Sequence, residues 1–134
     1  MAILTKGLMQ STRRYLHENV AATAVAFALI IPVVVGSASY AVDLSMAQMV
    51  KQRLSHAIDA AALAAAAISG SDSEITAKVN QFFHQNYPED KIGAAYGLSV
   101  TISGDDLLVS ASADYDTVFA KFIGVDQITV DAHT

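Results

Sequence analysis

The sequence predicts an α+β fold in which a long N-terminal helix precedes a second helix and a small three-stranded antiparallel sheet. Residues 20–42 form an apolar run without a charged side chain. Residues 44–69 continue with a helical heptad pattern and contain neither Pro nor Gly. From residue 96 onward, apolar and polar residues alternate with the period of a β-strand. These three patterns together indicate one extended helix followed by a mixed domain.

The apolar run is long enough to cross a membrane as a helix. About 20 apolar residues cover the hydrocarbon core of a bilayer, at about 1.5 Å per residue. We therefore expect a segment before the membrane (1–18), a transmembrane helix (19–43) and an extracytoplasmic domain (44–134). The alternative is a signal peptide cleaved among the small residues from Gly36 to Ala41. The length of the run favours retention, because the apolar part of a signal peptide is usually shorter.

The distribution of charge predicts the orientation of the span. Residues 1–18 contain three basic residues and one acidic residue, whereas residues 19–134 contain five basic and twelve acidic residues. Basic residues next to a span remain in the cytoplasm. Arg13 and Arg14 therefore predict a cytoplasmic N-terminus and an acidic C-terminal domain on the outer side, which is the periplasm in a bacterium with two membranes.

The outer edge of the span is expected at Tyr40 and Asp43, since aromatic rings and charges mark the membrane interface. Asp43 has two interpretations. It sets the depth of the helix, or it forms an ion pair with Lys51 or Arg53 of a neighbouring subunit during assembly.

Two sets of small and apolar residues predict packing by the long helix. Ala24 and Ala28 are spaced as a small-xxx-small pair, a pattern that allows close approach between membrane helices. Beyond the span, a heptad seam recurs on one helical face. Its members are Ala47, Val50, Leu54, Ala57, Ala61, Ala64 and Ile68. The seam is suited either to the sheet of the same chain or to a neighbouring subunit.

The C-terminal domain is expected to contain six elements after the span. A helix covers 44–69, and a second helix covers 72–86 because Ser71 and Glu74 form a capping box and Pro88 ends it. Strands are predicted at 96–103, 107–115 and 127–132, and the first two form a hairpin around residues 104–106. Tyr96 is expected on the same face as the alternating apolar residues of the first strand. A short helix from Thr117 to Ile123 should bury Val118, Phe119 and Phe122.

The composition excludes several kinds of chemistry and supports none. There is no cysteine, which excludes disulfides, thiolate metal sites and cysteine nucleophiles. The four histidines form no metal-binding motif, and there is no phosphate-binding loop or nucleophile elbow. The net charge of −5 argues against binding to nucleic acid. We predict a non-enzymatic protein with no catalytic residues, no metal, no cofactor and no small-molecule substrate.

The residues around the span resemble a known family. Val25, Phe27, Ala28, Leu29 and Pro32 match the apolar segment of TadE/TadG-like proteins of the Flp (tight-adherence) pilus system. The following AVDL at 41–44, KQRL at 51–54 and IDAAALAAA at 58–66 are similar to further motifs of that family. The ending VFAKFIG at 118–124, followed by ITV at 128–130, also looks like the family's.

The resemblance implies a single-span structural or minor-pilin-like component of pilus assembly in the bacterial inner membrane. Its partners would be the membrane and other pilus-assembly proteins, or copies of itself packed through the long helix. Two alternatives remain open. A long helix with a small head is a pilin-like layout, suited to a polymerising filament subunit at the cell surface. A secreted binding module would result from signal cleavage. The chain lacks the DxSxS motif of a metal-dependent adhesion site, so that property is not implied.

Overall fold

The computed structural model describes residues 2–89 and 92–134, and their side chains at 20–89 and 92–134. Two helices and three strands follow one another along the chain, which confirms the predicted α+β class. They are α1 (Ala2–Ala66), α2 (Asp72–Asn86), β1 (Ala94–Ser103), β2 (Asp106–Asp116) and β3 (Gln127–His133), with a short 3-10 helix (Ala120–Ile123) before β3. The chain divides into two units, an N-terminal unit (Met1–Ala38) and a head (Ser39–Thr134).

In the N-terminal unit, the side chains of residues 20–35 are all exposed. From Val20 onward α1 is long and apolar enough to cross a membrane, and no residue of its most apolar stretch is buried by protein. Arg13 and Arg14 lie outside the residues whose side chains are described. Ala24 and Ala28 are exposed, so their contact with another helix stays a prediction.

The second half of α1 belongs to the head and ends at Ala66, slightly before the expected residue 69. The N–H of Ile68 donates to the carbonyl of Ala65 at 3.2 Å, a tighter turn that closes the helix early. The chain then enters α2 through the predicted capping box. The backbone N–H and the hydroxyl of Ser71 both donate to Glu74 Oε2, at 2.8 and 2.9 Å.

The three strands form an antiparallel sheet in the order β1-β2-β3. Ser103 pairs with Asp106 across the hairpin, and Gly104 supplies the positive φ of 60° that this tight turn needs. The register of β1 shifts between Tyr96 and Ser99, where Gly97 has a φ of 66°. This bulge reverses the alternation of the strand before it. Tyr96 is therefore half exposed, and the prediction that it shares the inner face with the apolar residues of β1 was wrong.

The core of the head lies between α1, α2 and the inner face of the sheet. Many of its members are alanines, which allow the helix and the sheet to approach closely. The largest completely buried apolar side chains are Leu54, Ile58, Val50, Val79 and Val109. On the sheet, alternate residues of β2 from Val109 to Tyr115 point inward, as predicted from their spacing.

Candidate functional site

The heptad seam of α1 faces the core of its own head. Ala47, Val50, Leu54, Ala57 and Ala61 are buried in the same cluster as the sheet, and Ala64 and Ile68 are partly buried. Ile58 and Ala65, which the heptad pattern does not include, are also buried. Of the two partners left open for this seam, the structure places it against the chain's own sheet. A second subunit would have to use another face of α1.

Asp43 is the one carboxylate that is completely buried among the described residues. Its Oδ1 accepts hydrogen bonds from the Tyr115 hydroxyl at 3.1 Å and from the Val118 N–H at 2.9 Å. Its Oδ2 accepts from the N–H groups of Phe119 and Ala120, at 2.8 and 2.6 Å. We call these four bonds the Asp43 clasp. They join α1 to the end of β2 and to the connection between β2 and β3, which lie more than seventy residues later.

The clasp explains how a charge is tolerated inside the head. Burial alone raises the pKa of Asp43, but the three backbone hydrogen bonds and the Tyr115 hydroxyl outweigh it, and the pKa lies below its ordinary value of 3.8. Burial, the hydrogen bond to Asp43 and the charge of that carboxylate raise the pKa of Tyr115. At neutral pH the pair is therefore a carboxylate and a neutral phenol. A buried carboxylate whose two oxygens are both bonded is not available as a base or as a ligand.

The Asp43 carboxylate is enclosed by its own chain, so it is not free for an ion pair with a neighbouring subunit. That Asp43 marks the outer edge of the span and sets the depth of the helix stays a prediction. Arg53, proposed as a partner in a neighbour, is also engaged within the chain, since its Nη1 donates to the Ile92 carbonyl at 2.6 Å. The sequence carried a signal for this site only in the position of Asp43 at the end of an apolar run.

The connection held by the clasp is a closed loop, residues 117–126. Thr117 N–H donates to the Asp126 carbonyl at 2.9 Å, and the Thr117 hydroxyl donates to Val125. Val125 N–H donates to the Ala120 carbonyl at 3.1 Å. Gly124 ends the 3-10 helix with a φ of 87°. These bonds fix the shape of the loop without help from its large side chains.

The prediction that this loop buries its large apolar side chains was wrong. Val118 is 52% exposed, Phe119 41% and Phe122 82%. The cause is the clasp. Asp43 takes the backbone N–H groups of 118–120, so the backbone of the loop faces α1. Among residues 118–123, only the small side chain of Ala120 is buried.

Sequence reasoning also missed a second cluster, which lies where the chain leads into β1. The Arg53 guanidinium lies 4.6 Å from the centre of the Tyr87 ring, and the Tyr87 hydroxyl donates to the Gly93 carbonyl at 3.0 Å. Gly93 has a φ of 90°, and a Cβ there would lie 2.5 Å from Val50 Cγ1. Burial raises the pKa of Tyr87, and the charge of Arg53 opposes this only in part. These contacts join α1 to the segment between α2 and β1, and Arg53 Nη2 is buried without a hydrogen-bond partner among the described residues.

Within residues 20–89 and 92–134, no group of three or more His, Asp or Glu side chains could hold a metal ion. The arrangement of the described side chains therefore offers a fold-stabilising clasp and exposed apolar surfaces, and it offers no evident chemistry.

Comparison with known proteins gives a match in the part of the chain that contains Asp43. No curated protein and no solved structure matches the chain. A family model matches at residues 21–67, which include Asp43 and all but the first residue of the apolar run, and it describes a putative Flp pilus-assembly TadE/G-like family. This is a family of pilus-assembly proteins and not of enzymes. The match agrees with the resemblance described from the sequence, and it shows that residues 21–67 are similar to TadE/G-like Flp pilus-assembly proteins.

Proposed function

We propose that this chain is a non-enzymatic, single-span structural component of a Flp/Tad-type pilus assembly system. Residues 20–42 anchor it in the bacterial inner membrane, with the N-terminus in the cytoplasm and the head in the periplasm. The observation that carries the proposal is the run of exposed apolar side chains, which includes Leu29 at 70% and Val33 at 67% exposed. Such a surface requires lipid or protein to cover it, and residues 21–42 of the run lie within the pilus-family match.

The seam of α1 is covered within the head, so contacts with other subunits use other surfaces of the chain. The apolar run, with Ala24 and Ala28, is the surface left for helix–helix packing in the membrane. Within the head, the Asp43 clasp bonds the connection between β2 and β3 to α1 directly after the run.

Membrane anchoring is tested by fractionating cells that produce the full chain or a variant lacking residues 20–42. The full chain should stay with inner membranes after alkaline washing, whereas the deletion variant should become soluble. Leu63→Lys, which changes an exposed head residue, is the control and should stay in the membrane. A deletion variant that remains in washed membranes would contradict the anchor.

Orientation and processing are tested on the same membranes. The chain has no cysteine, so single-cysteine variants report one position each. A membrane-impermeant maleimide should label Gln81→Cys from the periplasm and leave Thr12→Cys unlabelled in intact cells. N-terminal sequencing of the purified protein should find residues before Gly36. Loss of those residues would instead indicate the secreted binding module.

The role in the pilus is tested by cross-linking and by shearing. A structural assembly component should cross-link to inner-membrane pilus proteins through sites in residues 20–42 and remain in the cell after filaments are sheared off. Recovery of the protein along sheared filaments would support the polymerising pilin-like subunit in its place.

A further inference from the structure

The loop at 117–126 displays an apolar surface that none of the described residues of the head covers. Val118, Phe119, Phe122 and Ile123 are 52%, 41%, 82% and 66% exposed, and we call these four side chains the apolar loop face. The segment 118–123 carries one charged residue, Lys121, whose Nζ lies 5.8 Å from the centre of the Phe122 ring. Clustered exposed apolar side chains of this kind mark a surface that contacts a partner or a membrane.

The chain itself places this face at the end of the apolar run. The loop is bonded through three backbone N–H groups to Asp43, and Asp43 directly follows Val42, the last residue of the run. A helix rises by about 1.5 Å per residue, so the loop is attached within a few ångströms of the point where the run ends. If lipid surrounds the run, the loop lies at the level of the lipid headgroups.

The composition of the loop suits that position. Phenylalanine and aliphatic side chains are stable at the boundary between headgroups and acyl chains, at a depth of about 5–10 Å. A lysine beside them extends its ammonium group outward to the phosphates while its methylene groups stay near the apolar side chains. Most backbone N–H groups of the loop are already bonded within the head, which lowers the cost of placing it at the lipid surface.

We propose that the apolar loop face inserts into the outer surface of the same bilayer that the span crosses, so that the head rests on the membrane at two points. The occupant of this surface is the lipid bilayer. The inference rests on the proposed membrane anchoring and goes beyond it, since an anchor alone would leave the head free of the membrane surface.

The absence of tryptophan from the chain allows a direct test. Three single-tryptophan variants of the full chain are reconstituted in phosphatidylcholine–phosphatidylglycerol vesicles, with and without lipids brominated at a shallow acyl position. Phe122→Trp reports on the loop, and Phe27→Trp reports on the apolar run. Leu63→Trp is the matched control, because Leu63 is 73% exposed and lies about 30 Å further along α1 than Asp43.

The expected result is that Phe122→Trp and Phe27→Trp each lose most of their fluorescence in brominated vesicles, whereas Leu63→Trp keeps it. Quenching of Phe27→Trp with none of Phe122→Trp would overturn the loop insertion and leave the anchor intact. A Phe122→Trp emission that is blue-shifted yet unaffected by bromine would show that protein covers the loop, which also overturns it. Absence of quenching in Phe27→Trp would remove both the anchor and the inference.

Discussion

The two units of the molecule use the same kinds of side chain in opposite ways. In the N-terminal unit, Leu29 and Ile30 are 70% and 56% exposed on α1, whereas in the head Leu54 and Ile58 on the same helix are completely buried. The head supplies a sheet and a second helix to cover its apolar face, and the N-terminal unit supplies nothing of that kind among the described side chains. The difference teaches that hydropathy alone does not say what surrounds a helix. What distinguishes the two is whether the apolar side chains form a stripe or cover every face.

Among the variants that test this difference between the two units, Asp43→Ala should reduce the stability of the head the most. Removing the carboxylate leaves the Tyr115 hydroxyl and three backbone N–H groups without their acceptor, and buried donors without partners are strongly destabilising. We expect the head to lose more thermal stability than in any other variant proposed here, as measured by circular dichroism in detergent, while membrane retention persists. Asp105→Ala, in the exposed hairpin turn, is the control. Equal melting temperatures for the two variants would contradict the clasp.

The next largest effect is expected from Gly93→Ala. The new Cβ would meet Val50 Cγ1 at 2.5 Å and would also occupy a φ of 90°. Overpacking and backbone strain each cost about 1–3 kcal/mol, so the free energy of unfolding of the head should fall by about 2–6 kcal/mol. Gly97→Ala shares the positive φ but meets nothing within 4 Å, so it should show the backbone strain alone. Denaturant titration compares the two, and equal losses would mean that the close contact with Val50 is unimportant.

Leu54→Ala and Leu29→Ala compare the two units directly. Leu54 is completely buried, so its truncation should lower the free energy of unfolding of the head by about 2–5 kcal/mol. Leu29 is exposed in the N-terminal unit, so the same change there should alter head stability by less than about 0.5 kcal/mol. Both variants are measured by denaturant unfolding of the full chain in the same detergent. A large loss for Leu29→Ala would show that the two units depend on each other for stability.

A smaller effect is expected from Tyr115→Phe. The change keeps the buried ring and removes one of four donors to Asp43, whose backbone donors remain. The loss should be about 1 kcal/mol, the usual net contribution of one hydrogen bond. Tyr96→Phe is the control, since Tyr96 is half exposed and its hydroxyl contact with Asp114 is long at 3.4 Å. Thermal melts should separate the two variants, and a loss in Tyr96→Phe as large as in Tyr115→Phe would argue against the clasp.

The smallest effect is the dependence on pH. The folded-state pKa of Asp43 lies below 3.8, and Ser71 holds that of Glu74 below its ordinary 4.5. Each carboxylate therefore contributes stability that is fully present above its ordinary pKa and is lost as the pH falls through the lower folded value. Denaturant midpoints should change little between about pH 7 and about pH 5 from these groups and fall below about pH 4. Glu74→Gln should remove only the Glu74 part, and an unchanged midpoint at about pH 3 in the original chain would contradict both pKa directions.

Local features of the fold followed from local patterns. The capping box at Ser71 and Glu74, the hairpin turn at Gly104 and the inward face of β2 depend on contacts between residues close in sequence or on strict alternation. Such contacts leave a periodic signal that can be read without the rest of the chain. The seam of α1 was predicted for the same reason, although its partner was not.

The site, in contrast, depends on a contact that no local pattern contains. Asp43 and the N–H groups of 118–120 are brought together by the return of the chain through the sheet. Backbone donors are present at every residue except proline, so sequence does not indicate which of them a carboxylate will meet. For the same reason, the sequence predicted that Phe122 is buried, whereas the loop exposes it.

The sequence by itself determined that there is an apolar helix long enough for a membrane, an α+β head after it, and a resemblance to pilus-assembly proteins, because periodicity and composition are properties of the chain. Only the tertiary structure decided that the heptad seam of α1 is covered by the head's own sheet. It also decided that Asp43 is a buried acceptor and that the 117–126 loop turns its large side chains outward. Those outcomes depend on which distant groups compete for the same space and the same hydrogen bonds, and that competition is settled only when the chain has folded.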